Sequence, residues 1–141
     1  MRPLAVAVAA LLAAAAPALA RTTRTDRVTA QVHSAGHDSL GLLYKGTVRS
    51  RTFGRGTVVE HIGALGLRGT FTITYRRGKV RGTSVAHARP RADGSLGFTG
   101  TYKLIGGTGR YRHVRGQGTF RGHGPADLST ATFTQSGRVT Y

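Results

Sequence analysis

The 141-residue chain has no cysteine and no tryptophan, and only five Asp and Glu stand against 21 Lys and Arg. Without cysteine there is no disulfide framework, no zinc ribbon and no thiol chemistry. Five acids are too few for a calcium loop or a carboxylate-bridged di-metal site. The formal charge of +16 excludes an acidic or neutral surface. No stretch beyond the first twenty residues holds a helical period, and the length suits one domain.

Residues 1–20 read as a secretory signal peptide. Arg2 gives a positive start, Leu4 to Ala16 form an uncharged apolar run, and Pro17 precedes the small-residue site Ala18-Leu19-Ala20. The run falls short of the roughly 20 residues that span a bilayer, so no transmembrane span is expected. Cleavage after Ala20 removes one positive charge, Arg2, and leaves a polycation in the medium or cell envelope. Export without cysteine suits a bacterial protein better than a small disulfide-stapled scaffold.

What recurs afterwards is alternation. Val28, Ala30 and Val32 alternate with Thr29 and Gln31, and Leu42, Tyr44 and Val48 share a face with Gly46. Leu65, Leu67, Gly69, Phe71, Ile73 and Tyr75 give the longest run. Leu96, Phe98, Gly100, Tyr102 and Leu104 repeat it, and Ala131 and Phe133 lead towards Val139 and Tyr141. Period two marks half-buried strands, and glycine within a strand marks a bulge or a bend. Arg77-Gly78, Ala92-Asp93-Gly94-Ser95 and Gly106-Gly107-Thr108-Gly109 read as turns. The expected fold is all-β, a single antiparallel up-and-down β-barrel over 28–141, with a β-sandwich as the alternative. Residues 21–27 lack apolar character and are expected to form a flexible basic arm.

The segment Ile105-Gly106-Gly107-Thr108-Gly109-Arg110-Tyr111-Arg112-His113-Val114-Arg115-Gly116 resembles the G-G-T-G-[KR]-[FY]-x-x-[AV]-R-G stretch of the dirigent and allene oxide cyclase-like barrel superfamily. The resemblance implies about eight strands, the trimeric assembly common in that superfamily and an apolar small molecule inside the barrel. It carries no catalytic residue across. A phosphate cradle is the rival for this segment, but the G-x-x-x-x-G-K-[ST] pattern is missing. Gly107 and Gly109 suit a tight loop instead, with Tyr111 folding across the end of the barrel.

Glu60 is the one acid inside an expected strand, Val58-Val59-Glu60-His61-Ile62. Facing inward with Val58 and Ile62, it is a carboxyl group in an apolar lumen, suited to orienting a ligand or to general acid work. Facing outward, it is a surface group paired with arginine. Tyr44, Phe71, Phe98, Tyr102 and Tyr111 complete the expected ligand-binding set. The six histidines show no recurrent ligand spacing, so neither a metal nor a cofactor is expected. Arg110, Arg112 and Arg115 form the expected polyanion-binding patch, suited to an anionic envelope polymer. The sequence therefore points to a secreted, non-catalytic binding barrel, for an apolar small molecule within or polyanions outside. A cyclase-like or dirigent-like enzyme shaping a reactive apolar substrate, and a structural cell-surface protein, are the alternatives.

Overall fold

A computed structural model describes residues 21–63 and 68–141. The expected signal peptide, and Leu65 and Leu67 of the longest alternating run, lie outside the described residues.

Eight strands follow one another: β1 (Thr23–Asp38), β2 (Gly41–Ser50), β3 (Gly54–Ile62), β4 (Arg68–Tyr75), β5 (Gly78–Pro90), β6 (Leu96–Gly107), β7 (Arg115–Gly124) and β8 (Thr130–Thr140). Each pairs antiparallel with its chain neighbours, and β1 pairs with β8 to close the barrel. The fold is the up-and-down barrel; the sandwich is excluded, because among the described residues no strand is left as a sheet edge. Among the described residues one 3-10 turn, Gly109–Tyr111, interrupts the strands.

Alternation explains the walls. Val28, Ala30 and Val32 are buried while Thr29 and Gln31 are exposed, and the same holds for Phe71, Ile73 and Tyr75 against Thr70 and Thr74. Outward positions are mostly Thr, Arg and Lys, the reverse of the apolar belt of a lipid-facing barrel. Among the described residues no helix is long and apolar enough to cross a membrane. Inward glycines let the sheet curl: a Cβ at Gly82 would stand 2.3 Å from Phe71 Cζ and 2.5 Å from the Lys103 carbonyl. A register shift at Arg81/Gly82 marks the same bend.

Residues 21–27, expected as a flexible arm, are instead mostly strand. From Thr23 onward they pair with β8, Thr23 facing Thr140 and Arg27 facing Ser136. The stretch looked unstructured because its buried inward residue is Asp26 and not an apolar one. Both Asp26 carboxylate oxygens accept from Ser50 Oγ at 2.9 Å, and Oδ1 also accepts from the Thr52 amide at 3.0 Å. Ser50 Oγ in turn accepts from the Thr52 and Phe53 amides.

That network fixes the β2–β3 turn over one end of the barrel. Phe53 from the turn packs against Tyr111, ring centroids 4.8 Å apart, and against Tyr75 and Tyr141 at 5.3 Å each. Val80, Val114 and Val139 are almost fully buried. Apolar area carries most of the stabilisation here, at about 25 cal/mol per Å² removed from water. This end is closed.

Candidate functional site

The opposite end is different. There the turns β1–β2, β5–β6 and β7–β8 lie, and the lumen holds a cavity of about 310 Å³. The volume is at the lower end of the range for small-molecule sites. Val32, Leu42, Ile62, Phe98, Ala131 and Phe133 give most of its wall an apolar character, and Arg68 stands at its rim. An eight-stranded barrel leaves just enough interior for side chains or one small ligand. Here small residues on β5, Ser84, Ala86 and Ala88, keep part of it open.

Glu60 faces inward, with Val58 and Ile62, and lines the cavity. Ser84 Oγ donates to Glu60 Oε1 across β4, 3.2 Å away. The pair has room because Gly69 lies between them: a Cβ there would meet Ser84 Oγ at 2.7 Å and Glu60 Oε1 at 3.1 Å. Desolvation in the apolar lumen pushes the Glu60 carboxyl above its ordinary range, opposed in part by the Ser84 hydrogen bond. A protonated carboxyl donates to an ether, carbonyl or hydroxyl oxygen; ionised, it accepts from an amine.

Tyr44 faces the same cavity from β2, and its hydroxyl donates to the Leu128 carbonyl at 3.0 Å. Burial, then the Glu60 and Asp127 charges, raise its pKa. Leu128 is the only non-glycine described residue with positive φ, at 58°. Its side chain lines the cavity while its carbonyl holds Tyr44. Such a backbone costs about 1–3 kcal/mol, and here it falls at the cavity mouth. On the outer side of the mouth, His61 Nε2 donates to Asp38 Oδ2 at 2.8 Å, joining the end of β1 to β3.

Of the expected ligand set, Tyr44, Glu60, Phe71 and Phe98 line this cavity. Tyr102 and Tyr111 do not. Tyr111 belongs to the aromatic plug at the closed end, and Tyr102 is buried with its hydroxyl beside Gly137. Burial, and the Asp26 charge after it, push the Tyr102 phenol up to about 12. The same causes raise Tyr75 further. Ser84 and Leu128 were missed. Alternation through Gly82, Ser84, Ala86 and Ala88 was the available signal for Ser84; nothing in the sequence marks the Leu128 backbone.

Arg110, Arg112 and Arg115 are all exposed near the closed end. Arg110 and Arg112 sit on the loop carrying the 3-10 turn, whereas Arg115 begins β7 and donates to the Val114 carbonyl at 2.7 Å. Among the described residues no group of three His, Asp or Glu is placed to hold a metal. No family model, curated protein or solved structure matches the chain.

Proposed function

We propose that the protein binds an apolar small molecule in its lumen, entering at the end opposite the aromatic plug and oriented by Glu60. The observation that carries this reading is an open-mouthed apolar cavity containing one carboxyl group with a raised pKa. A core built only for stability fills such space, because each unfilled volume forfeits packing contacts. An uncharged ligand with an apolar body and one oxygen acceptor fits best: the body replaces water against Val32, Phe98 and Phe133, and the oxygen accepts a hydrogen bond from the Glu60 carboxyl in its protonated form. The leader-like first twenty residues and the resemblance of the Gly106–Gly116 segment support a secreted barrel of the dirigent and allene oxide cyclase-like type.

Fluorescence titration with an environment-sensitive apolar dye tests the reading. Saturable enhancement is expected, reduced at least tenfold by Ala86→Phe, which places a ring in the cavity. Equal enhancement from the folded variant would exclude the lumen as the site.

A further inference from the structure

The outer wall formed by β5 to β8 carries two grooves that lie one above the other along the barrel. The groove nearer the mouth has a volume of about 430 Å³ and is flanked by His87, Arg89, Arg91, Arg121 and His123. The groove nearer the closed end, of about 510 Å³, is flanked by Lys103, Arg115 and Arg138 with Gln117 among them. Among the described residues no carboxylate lines either groove. Register explains both clusters. Thr99 of β6 faces Arg121 of β7, which faces Thr134 of β8; four residues further along β6, Lys103 faces Gln117, which faces Arg138. Between the two rows the outward positions are Thr101, Thr119 and Ser136, which keep the intervening wall polar and short-chained.

We propose that this wall is a binding track for a linear, flexible polyanion bearing phosphate groups, laid along the barrel and held in both grooves at once. The exposed face of β7 from Arg115 to His123 extends about 27 Å at the usual strand rise. Arginine forks grip phosphate oxygens bidentately, and the hydroxyls between them hydrogen-bond the same oxygens. Asp93 in the β5–β6 turn is engaged within its own loop by the Ser95 amide and hydroxyl, and Asp127 in the β7–β8 turn accepts from the Ser129 amide. A membrane is a poorer occupant: the wall is convex, and among the described residues Ile105 is the only large exposed apolar side chain on it. The track does not share residues with the lumen lining except Phe98, whose ring faces inward.

The test compares three variants with the same charge change, using long-chain inorganic polyphosphate as the probe. One is Lys103→Gln/Arg115→Gln/Arg138→Gln, the second Arg89→Gln/Arg91→Gln/Arg121→Gln, and the third Arg49→Gln/Arg51→Gln/Arg55→Gln on β2, β3 and the turn between them, across the barrel. Each track variant is expected to lose at least tenfold in affinity. The slope of log K against log salt should become shallower by about two units. The opposite-wall variant should stay within twofold of the parent, and tripolyphosphate, too short for both grooves, should bind at least tenfold more weakly than the long chain. Arg115→Lys/Arg138→Lys, which keeps the charge, guards against misfolding and should retain partial binding. Equal losses in all three variants would mean general electrostatics and overturn the track, as would no loss. Tighter binding to phosphatidylglycerol vesicles than to polyphosphate would assign the wall to a membrane and overturn it also.

Discussion

Replacing Asp26 with Ala should unfasten the closed end of the barrel. The side chain is 4% exposed and is held by two donor groups, the Ser50 hydroxyl and the Thr52 amide. Hydrogen bonds to a charged group contribute about 1.5–3 kcal/mol each. The Thr52 amide retains its second acceptor, Ser50 Oγ, so its loss is partial. The net cost should be about 3 kcal/mol, and the melting temperature should fall by about 10 °C for a domain of this size. Urea denaturation of parent, Asp26→Ala, Ser50→Ala and the double variant gives the stability and the coupling between the pair. The coupling should reach about 1–3 kcal/mol, as for directly bonded neighbours. A loss below about 1 kcal/mol, or additive single variants, would refute the assignment of Asp26 as the anchor beneath the Phe53 turn.

Glu60 makes stability depend on pH in a stated direction. Its pKa is higher folded than unfolded, so the native state holds the proton more tightly and stability falls as pH rises through the folded pKa. Glu60→Gln cannot ionise, so its stability relative to the parent should grow with pH and then level off. Denaturation midpoints from about pH 4 to 8 test this, and a gap that narrows with rising pH would contradict it. Gly82→Ala should cost about 1–3 kcal/mol by driving a methyl into Phe71 and the Lys103 carbonyl. A thermal melt unchanged from the parent would place Gly82 wrongly. In alkaline absorbance titration Tyr102 should ionise near pH 12, and Asp26→Asn should lower that value by removing the nearby charge. An unmoved titration in the folded variant would separate Tyr102 from Asp26.

Much of the fold was legible because it is written at period two. Val28 to Val32, Phe71 to Tyr75 and Leu96 to Leu104 alternate cleanly, and the turn glycines fall where hairpins require them. Asp26 defeated the same reasoning: alternation signals a buried face only when that face is apolar, and here a hydrogen-bonded acid occupies it. Half of the site was readable for a related reason. Tyr44, Glu60, Phe71 and Phe98 share the inward face, but the inward face alone does not say which end of the barrel is plugged. Tyr111 belongs to the plug, a distinction set by Phe53 and the 3-10 turn closing one end, whereas Tyr102 is buried with its hydroxyl beside Gly137. The wall grooves depend on register across β5 to β8, which brings Lys103, Gln117 and Arg138 into one row although they are far apart in the chain.

The lumen claim is tested most directly by amide and methyl NMR during titration with a small uncharged apolar probe. Chemical-shift changes should cluster on Val32, Leu42, Ala86, Ala131 and Leu128 around the open end, and Phe53, Tyr75 and Tyr111 should stay still. Changes concentrated at the aromatic plug, or spread over the outer wall with the lumen methyls unmoved, would contradict a ligand site inside this barrel.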